Sequence, residues 1–412
     1  MKNQLVKFHI YPFLFSLALF LLVISFSGNC IFRFDKVKRV SLADKNFFLD
    51  YSDGAVAEDF VRKAMVGGNQ LIVIGSSEMT YNNLQAIPYN FFNKMQNIPC
   101  LGLGHAGNQT FCIYSQLCAM CDCLKNARLT IVLSPSWFNR TGKYGTSLHV
   151  FLDFNHERFL YNTYYNPRLP ERYKQYVGRF IGDNITDIES PSAILKLFYY
   201  SHLCQNSDID RIIYSPFKNM YESYCSSKIK YTDKLWADGR YEAPLVNQVV
   251  DAGSKSPFAY PRRINWDSLY QAAAKDFEKI CNNTLGVEDN LYQSTLSLAK
   301  TDHKPPLVAD ENRELKDLSM LLKLLKYYHT DALFVLGPYN PLAYEYTKQL
   351  LPTMKSVTDS VSKYGFTCYN MYTADKEHYI KGTLLDLTHL GNVGWYKVDS
   401  AIYEHFKTGP NE

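Results

Sequence analysis

The chain has 412 residues, enough for one large α/β domain carrying an insertion, or for two domains. Hydrophobic residues make up 46% and charged residues 20%, a globular composition that excludes a disordered or fibrous chain. The formal net charge of +4 is slight and no Lys/Arg run resembles a nucleic-acid tract, which argues against a nucleic-acid partner, while 32 tyrosines suit contact with sugars or polar chains without being diagnostic of either.

Ile10 to Ser27 is an uncharged, mostly Leu/Phe/Ile/Val run of 18 residues, about the minimum for one bilayer-spanning helix. Lys2 and Lys7 precede it and Arg33, Lys36, Lys38 and Arg39 follow, so charge alone does not orient it. A cleaved signal ending near Ser25-Phe-Ser27 is the alternative; the preferred reading is an uncleaved anchor over 1–32. Residues 33–69 read as a juxtamembrane stalk leading into a helix from Ala55 to Met65.

Leu71 to Ile74 follow as a strand buried on both faces, three of the four residues being β-branched. The strand stops at Gly75-Ser-Ser-Glu78. Open parallel sheets place their chemistry at such strand ends, so a serine here is a nucleophile or else a strand-end cap. Glu78 caps a helix or orients a neighbour. A second strand, Ile98 to Leu103, leads into Gly104-His-Ala-Gly-Asn-Gln-Thr110 and a helix to about Asn126. A third, Leu129 to Leu133, ends in Ser134-Pro-Ser-Trp-Phe138. The alternation of strand and helix, with polar turns at the strand C-termini, predicts a parallel α/β sheet whose turns converge on one edge.

The rhythm degrades over 139–310, which is rich in Tyr, Asn, Asp and Pro and reads as a helical and irregular insertion covering the site. Tyr260-Pro-Arg-Arg263 within it reads as solvated surface or, less simply, a phosphate contact. The rhythm then returns in 311–412. Leu315, Leu318, Leu321, Leu322 and Leu325 form one stripe of a helix over Asn312 to Tyr328. Asp331 to Leu336 is a fourth strand ending at Gly337-Pro-Tyr-Asn340, Tyr346 to Tyr364 a helix, and Gly365 to Tyr369 a fifth strand. Ten cysteines are scattered, four of them at 112, 118, 121 and 123. Without a second pair or a histidine at metal-ligand spacing they read as buried or disulfide-bonded rather than zinc-binding, and no cofactor is implied.

Asp386 and His389 stand three apart just before the last helix. On a tight turn the carboxylate accepts the imidazole Nδ1–H, which fixes the tautomer and leaves Nε2 as a base; the plainer reading is an Asp cap beside a surface histidine. A serine needs such a base. Gly107 and Asn108 stand where a developing oxyanion needs donors. His105 beside them reads as structural rather than basic.

This order of Ser, Gly/Asn and Asp-x-x-His resembles the SGNH (GDSL-like) hydrolase superfamily, with two departures. Gly-Asp-Ser becomes Gly75-Ser76-Ser77, which puts the nucleophile at Ser77, and Ser134-Pro-Ser-Trp-Phe138 replaces the usual Gly-x-Asn-Asp block. Together with the N-terminal run, Ile74-Gly-Ser-Ser-Glu-Met79, Gly104-His-Ala-Gly-Asn-Gln109 and Asp386-Leu-Thr-His-Leu-Gly-Asn-Val-Gly-Trp395, these departures resemble the D-alanyl-lipoteichoic acid biosynthesis protein DltD family. The resemblance brackets nearly the whole chain, with little recognisable sequence in 139–310. It implies a three-layer α/β/α SGNH-like domain with a mostly parallel sheet, split into 70–138 and 311–412 around the insertion. It further implies an outward-facing, single-pass protein of Gram-positive cells that takes part in D-alanine esterification of teichoic or lipoteichoic acid. Its partners would be the bilayer, a D-alanyl donor or carrier and a membrane-bound acyltransferase-type protein.

On that resemblance Ser77, His389 and Asp386 are the catalytic residues, and the Ser77 N–H with Gly107 and Asn108 forms the oxyanion hole. Glu78, Gln109, Trp137 and Tyr339 are the substrate-side residues, although Trp137 and Tyr339 serve equally as core. The same constellation serves an esterase or thioesterase acting on D-alanyl carrier or cell-wall esters. The third reading is a non-enzymatic, membrane-tethered scaffold.

Overall fold

The computed structural model describes residues 48–50, 58–139 apart from 59, 60, 63, 69 and 82, 145–187 apart from 155 and 156, 193–237 apart from 205–207, 264–301, 311–407, and Tyr11 with 14–16. Six strands form one sheet: β1 (Phe48–Asp50), β2 (Leu71–Ile74), β3 (Cys100–Gly104), β4 (Arg128–Leu133), β5 (Asp331–Leu336) and β6 (Thr367–Asn370). Their order is β1-β3-β2-β4-β5-β6 and every pairing is parallel. The parallel α/β core expected from the alternating pattern is therefore present. The order reverses at β2, whose neighbours are β3 on one side and β4 on the other. A parallel sheet opens a crevice at such a switch point, outside the strands' carboxyl ends. Ile74, the last residue of β2, is followed there by Gly75-Ser76-Ser77.

Strands β2, β3 and β4 are buried along their whole length, and β5 beyond Asp331, because both faces of the sheet are covered there. Leu71 and Val73 of β2, Val132 of β4 and Leu333 and Val335 of β5 share one core with helices Trp266–Glu278 and Asn392–Lys407. The alternate residues Ile72, Ile74, Ile131 and Phe334 are fully buried and point to the other face. There, helix α1 (Thr110–Ala119) packs against helix α2 (Arg313–Tyr327). All ten residues of α1 are buried, so it lies inside the domain with no solvent face.

β1 was not expected: Phe48–Asp50 falls in the stretch read as a stalk, yet it pairs with β3 as an edge strand. Three residues carry no alternation to betray a strand. Of the 139–310 segment, helix Glu157–Tyr165 packs on α1 and helix Trp266–Glu278 packs on helix Asn392–Lys407. A separate compact unit contains Ile181–Tyr241, with described helices Ala193–Phe198 and Asp208–Ala237. Within it, Phe198 packs on Tyr221 at 5.4 Å between ring centroids. The nine described cysteines are all free thiols.

The expected membrane anchor is corrected. No helix among the described residues is long and apolar enough to cross a membrane. Of Ile10 to Ser27 only Tyr11 and Leu14 to Ser16 are described, in helical conformation, and the rest of the run lies outside the described residues. An 18-residue run sits at the lower limit for a span, so hydropathy alone did not carry the assignment. The transmembrane helix, the single-pass location and the bilayer as partner are not carried forward.

Candidate active site

The serine turn is shaped by two glycines. The ladder ends with Gly75 N–H donating to Leu103 O at 2.9 Å, and a 3-10 turn, Ser77–Thr80, starts two residues later. A Cβ at Gly75 would lie 2.5 Å from Glu78 Oε1. One at Gly104, the last residue of β3, would lie 2.8 Å from Met79 Cβ and 2.9 Å from the Ser76 carbonyl oxygen. The absence of both side chains lets the turn fold back onto β3.

Within the turn the two serines separate in role. Ser76 Oγ donates to His105 O and accepts from Gly107 N–H, both at 3.1 Å, and the residue is buried. Ser77 is half-buried, and its Oγ lies 2.8 Å from His389 Nε2. Ser76 thus closes the loop and Ser77 faces the imidazole. Glu78 is buried and accepts Ser76 N–H at 2.7 Å. Burial raises its carboxyl above the ordinary range, against the pull of that amide, its own N–H and the His389 charge. It braces the turn from beneath and does not line an open surface.

His389 is presented by a short loop closed at its base. Leu384 and Leu390 form an antiparallel bridge, and Leu385 N–H donates to His389 O at 2.8 Å. Asp386 Oδ1 accepts the N–H groups of Thr388 and His389, each at 2.9 Å, while Oδ2 lies 2.6 Å from His389 Nδ1. An ionised carboxylate only accepts, so Nδ1 carries the proton and Nε2 turns a lone pair toward Ser77 Oγ.

The electrostatics agree with that assignment. Burial pulls His389 down, but the Asp386 hydrogen bond and charge, with Glu78 behind them, outweigh it and leave the imidazole above its ordinary value. Burial pushes Asp386 up, and the His389 bond and charge with two backbone amides bring it below its ordinary value. The pair favours imidazolium next to carboxylate, the charge distribution that a general base reaches after taking a proton.

The remaining expected residues are placed as follows. Gly107 has φ +88° and its N–H is engaged by Ser76 Oγ. Asn108 is fully buried; its amide donates to Gly75 O at 2.9 Å and accepts from Gln116 Nε2 at 3.2 Å. Both hold the loop against the serine turn. Gln109 is half-buried at the start of α1, its N–H on Gly107 O at 2.8 Å. Trp137 and Tyr339 stand just after β4 and β5, on the same sheet edge as Ser77, but both are buried, at 5% and 2% exposure. Tyr339 packs edge-on against Tyr344 at 4.4 Å.

Two residues close to the histidine loop are not singled out by the sequence. Tyr81, just past the serine turn, sets its ring 5.0 Å from the His389 ring, with its hydroxyl 3.4 Å from Nδ1. Asn340 is fully buried; its amide donates to Leu285 O at 2.9 Å and to Asp386 O at 3.4 Å, and its N–H to Leu387 O at 3.0 Å. It ties the β5 exit to the histidine loop. The signal available was its place at a strand C-terminus, which applies equally to many loop asparagines.

The family profile described as "DltD protein" matches residues 50–407. Protein DltD of Staphylococcus aureus (strain NCTC 8325 / PS 47) is 24% identical over 357 residues, covering 82% of this chain and 81% of the relative. Protein DltD of Bacillus subtilis (strain 168) is 23% identical over 359 residues, covering 82% and 83%.

Proposed function

The chain belongs to the DltD protein family, and from that premise we propose that it is a serine acyltransferase that esterifies teichoic acid hydroxyls with D-alanine through an acyl-Ser77 intermediate. One observation carries the chemistry: Ser77 Oγ, His389 and Asp386 stand in line, with links of 2.8 and 2.6 Å. The substrate class comes from the family resemblance.

In the first half-reaction His389 Nε2 takes the Ser77 proton as Oγ attacks the carbonyl carbon of an activated D-alanyl ester or thioester. The carbonyl oxygen becomes an oxyanion in the tetrahedral intermediate. The Ser77 N–H, at the open start of the 3-10 turn, is the best-supported donor to it; Gly107 N–H would first have to leave Ser76 Oγ. His389 returns the proton to the departing oxygen or sulfur, leaving Ser77 acylated. In the second half-reaction a glycerol-phosphate or ribitol-phosphate hydroxyl gives its proton to His389 and attacks the acyl carbon. Collapse breaks the Ser77 ester bond as His389 returns that proton to Ser77 Oγ, releasing the new ester, so protons balance over the cycle. Asp386 stays ionised throughout and holds the imidazole in register.

The test compares wild type, Ser77→Ala and His389→Ala in cells lacking the gene, at matched protein levels. Ester-linked D-alanine on purified teichoic acid is measured, and the acyl-enzyme is trapped on the protein by mass spectrometry. Loss of the ester in both variants and a D-alanyl adduct on Ser77 are expected. An adduct that only water discharges supports the esterase reading. Wild-type ester levels in both variants refute catalysis by this site and leave the scaffold.

A further inference from the structure

Helix α1 starts one residue after the loop that grips the serine turn, and its N-terminus is held from outside. Gln109, its N-cap residue, contributes no side-chain cap. The first backbone N–H groups of a helix lack partners within it, and a buried one must find one elsewhere. Thr110 N–H donates to Glu314 Oε1 at 2.8 Å, and both residues have no exposed surface. Glu314 lies in the first turn of α2, far along the chain.

The clamp is anchored at both ends. Asn312, the N-cap of α2, accepts Leu315 N–H at 3.2 Å and donates to Phe138 O at 2.7 Å, tying α2 to the turn after β4. One helical turn beyond Glu314, Asp317 is buried too and accepts the Tyr176 hydroxyl at 2.6 Å. Among the described residues, Glu314 Oε2 and Asp317 Oδ2 have no hydrogen-bond partner. Burial pushes both carboxyls up, and the Asp317 charge adds to the rise at Glu314. Two neighbouring buried carboxyls are costly to keep. Stability of α2 alone does not call for them, since its Leu stripe already packs it.

From Thr110 the connections run back to the nucleophile. Gln109 N–H bonds Gly107 O, Asn108 N–H bonds His105 O, Gly107 N–H bonds Ser76 Oγ and the Asn108 amide bonds Gly75 O. Resting on the reading of Ser77 as nucleophile, we propose that Glu314 is a positioning residue: its carboxyl oxygen accepts the Thr110 N–H, clamps the start of α1 and thereby fixes the His105–Gln109 loop against the serine turn. Without the clamp, Thr110 N–H is buried with no acceptor and the loop shifts to find one.

The experiment uses the full chain, with a fluorophosphonate probe, which phosphonylates a reactive serine with loss of fluoride, to report the labelling rate of Ser77. Hydrogen–deuterium exchange of the peptide over 105–111 reports the loop. Glu314→Ala is expected to slow labelling about tenfold or more, because a misplacement of about 1 Å costs up to about 10²-fold, and to speed exchange at 105–111. Glu314→Gln keeps an acceptor oxygen and restores both towards wild type. Leu318→Ala, a buried change on the same helix, lowers the melting temperature without moving either readout. If Glu314→Ala does not fold, Glu314→Asp shortens the reach by one methylene and is expected to move both readouts in the same directions. Unchanged exchange in a folded Ala or Asp variant overturns the clamp, as does labelling slowed no more than in Leu318→Ala. A wild-type chain that does not label at Ser77 overturns the reading of the serine, and the positioning role with it.

Discussion

Replacing Asp386 by Asn tests the catalytic line where its geometry is most constrained. Oδ1 accepts two backbone N–H groups, each at 2.9 Å, and Oδ2 accepts His389 Nδ1–H at 2.6 Å. An asparagine has one acceptor and one donor end. Its oxygen must stay with the two amides, since an NH2 there would face two donors. Its NH2 then faces His389 Nδ1, which has to become the acceptor, and the imidazole proton moves to Nε2 opposite Ser77 Oγ. The base is lost with the loop intact. A wrong-tautomer change of this kind costs about 10⁴-fold in rate, or about 5.5 kcal/mol of barrier. A second effect follows from the charges. Burial lowers His389 while Asp386 supplies the largest upward contributions, so the imidazole falls in the variant. Wild type is expected to gain activity with pH through a value above the ordinary 6.5, as neutral imidazole forms, and the residual activity of the variant to rise at lower pH. The assay is the rate of Ser77 phosphonylation by a fluorophosphonate, or of its acylation by a p-nitrophenyl ester, across pH, with the melting temperature as a folding control. A loss below about tenfold, or an unshifted pH profile, refutes the argument.

Three further outcomes are expected. Gly104→Ala brings a Cβ within 2.9 Å of the Ser76 carbonyl oxygen and 2.8 Å of Met79 Cβ; overpacking of this kind costs about 1–3 kcal/mol, and Ser77 labelling should fall along with the unfolding midpoint. The Asp386–His389 pair should stabilise the fold most between pH 3.8 and 6.5, the ordinary values of the two groups. The raised imidazole loses its contribution as pH climbs through its folded value, and the depressed carboxyl loses its own as pH falls through its folded value. Melting curves of wild type and His389→Ala against pH check this, and a constant gap between them contradicts it. Asp399 is fully buried, neither of its oxygens has a hydrogen-bond partner among the described residues, and burial holds its carboxyl well above the ordinary 3.8. The unfolded chain releases that proton more readily, so folding weakens as pH rises above 3.8. Asp399→Asn should gain stability relative to wild type over the same range, measured by chemical unfolding.

Local chemistry made much of the domain legible. A fully apolar four-residue strand such as Leu71 to Ile74 has no place except inside a covered parallel sheet, and the turns at its end and at 104–109 follow from glycines where backbone must approach backbone. Asp386 and His389 pair within one tight turn, a relation of three residues that sequence spacing carries. Long-range relations were not legible. Phe48–Asp50 is a strand only because β3 offers it an edge. Trp137 and Tyr339 sit at strand ends in sequence, and packing among neighbouring side chains turns them inward. Glu314 reads as one more charge on a helix surface until α1 lays an amide against it.

The chain by itself determined the strand–turn chemistry, because propensity, burial pattern and short-range hydrogen bonding depend on residues a few positions apart. The family resemblance pointed to Ser77, and only the tertiary structure supplies the physical reason that this serine, and not its neighbour, meets the histidine. Ser76 and Ser77 are chemically alike and adjacent in sequence. The fold of the turn against Gly104 engages one with the His105–Gly107 loop and aims the other at an imidazole 312 residues away.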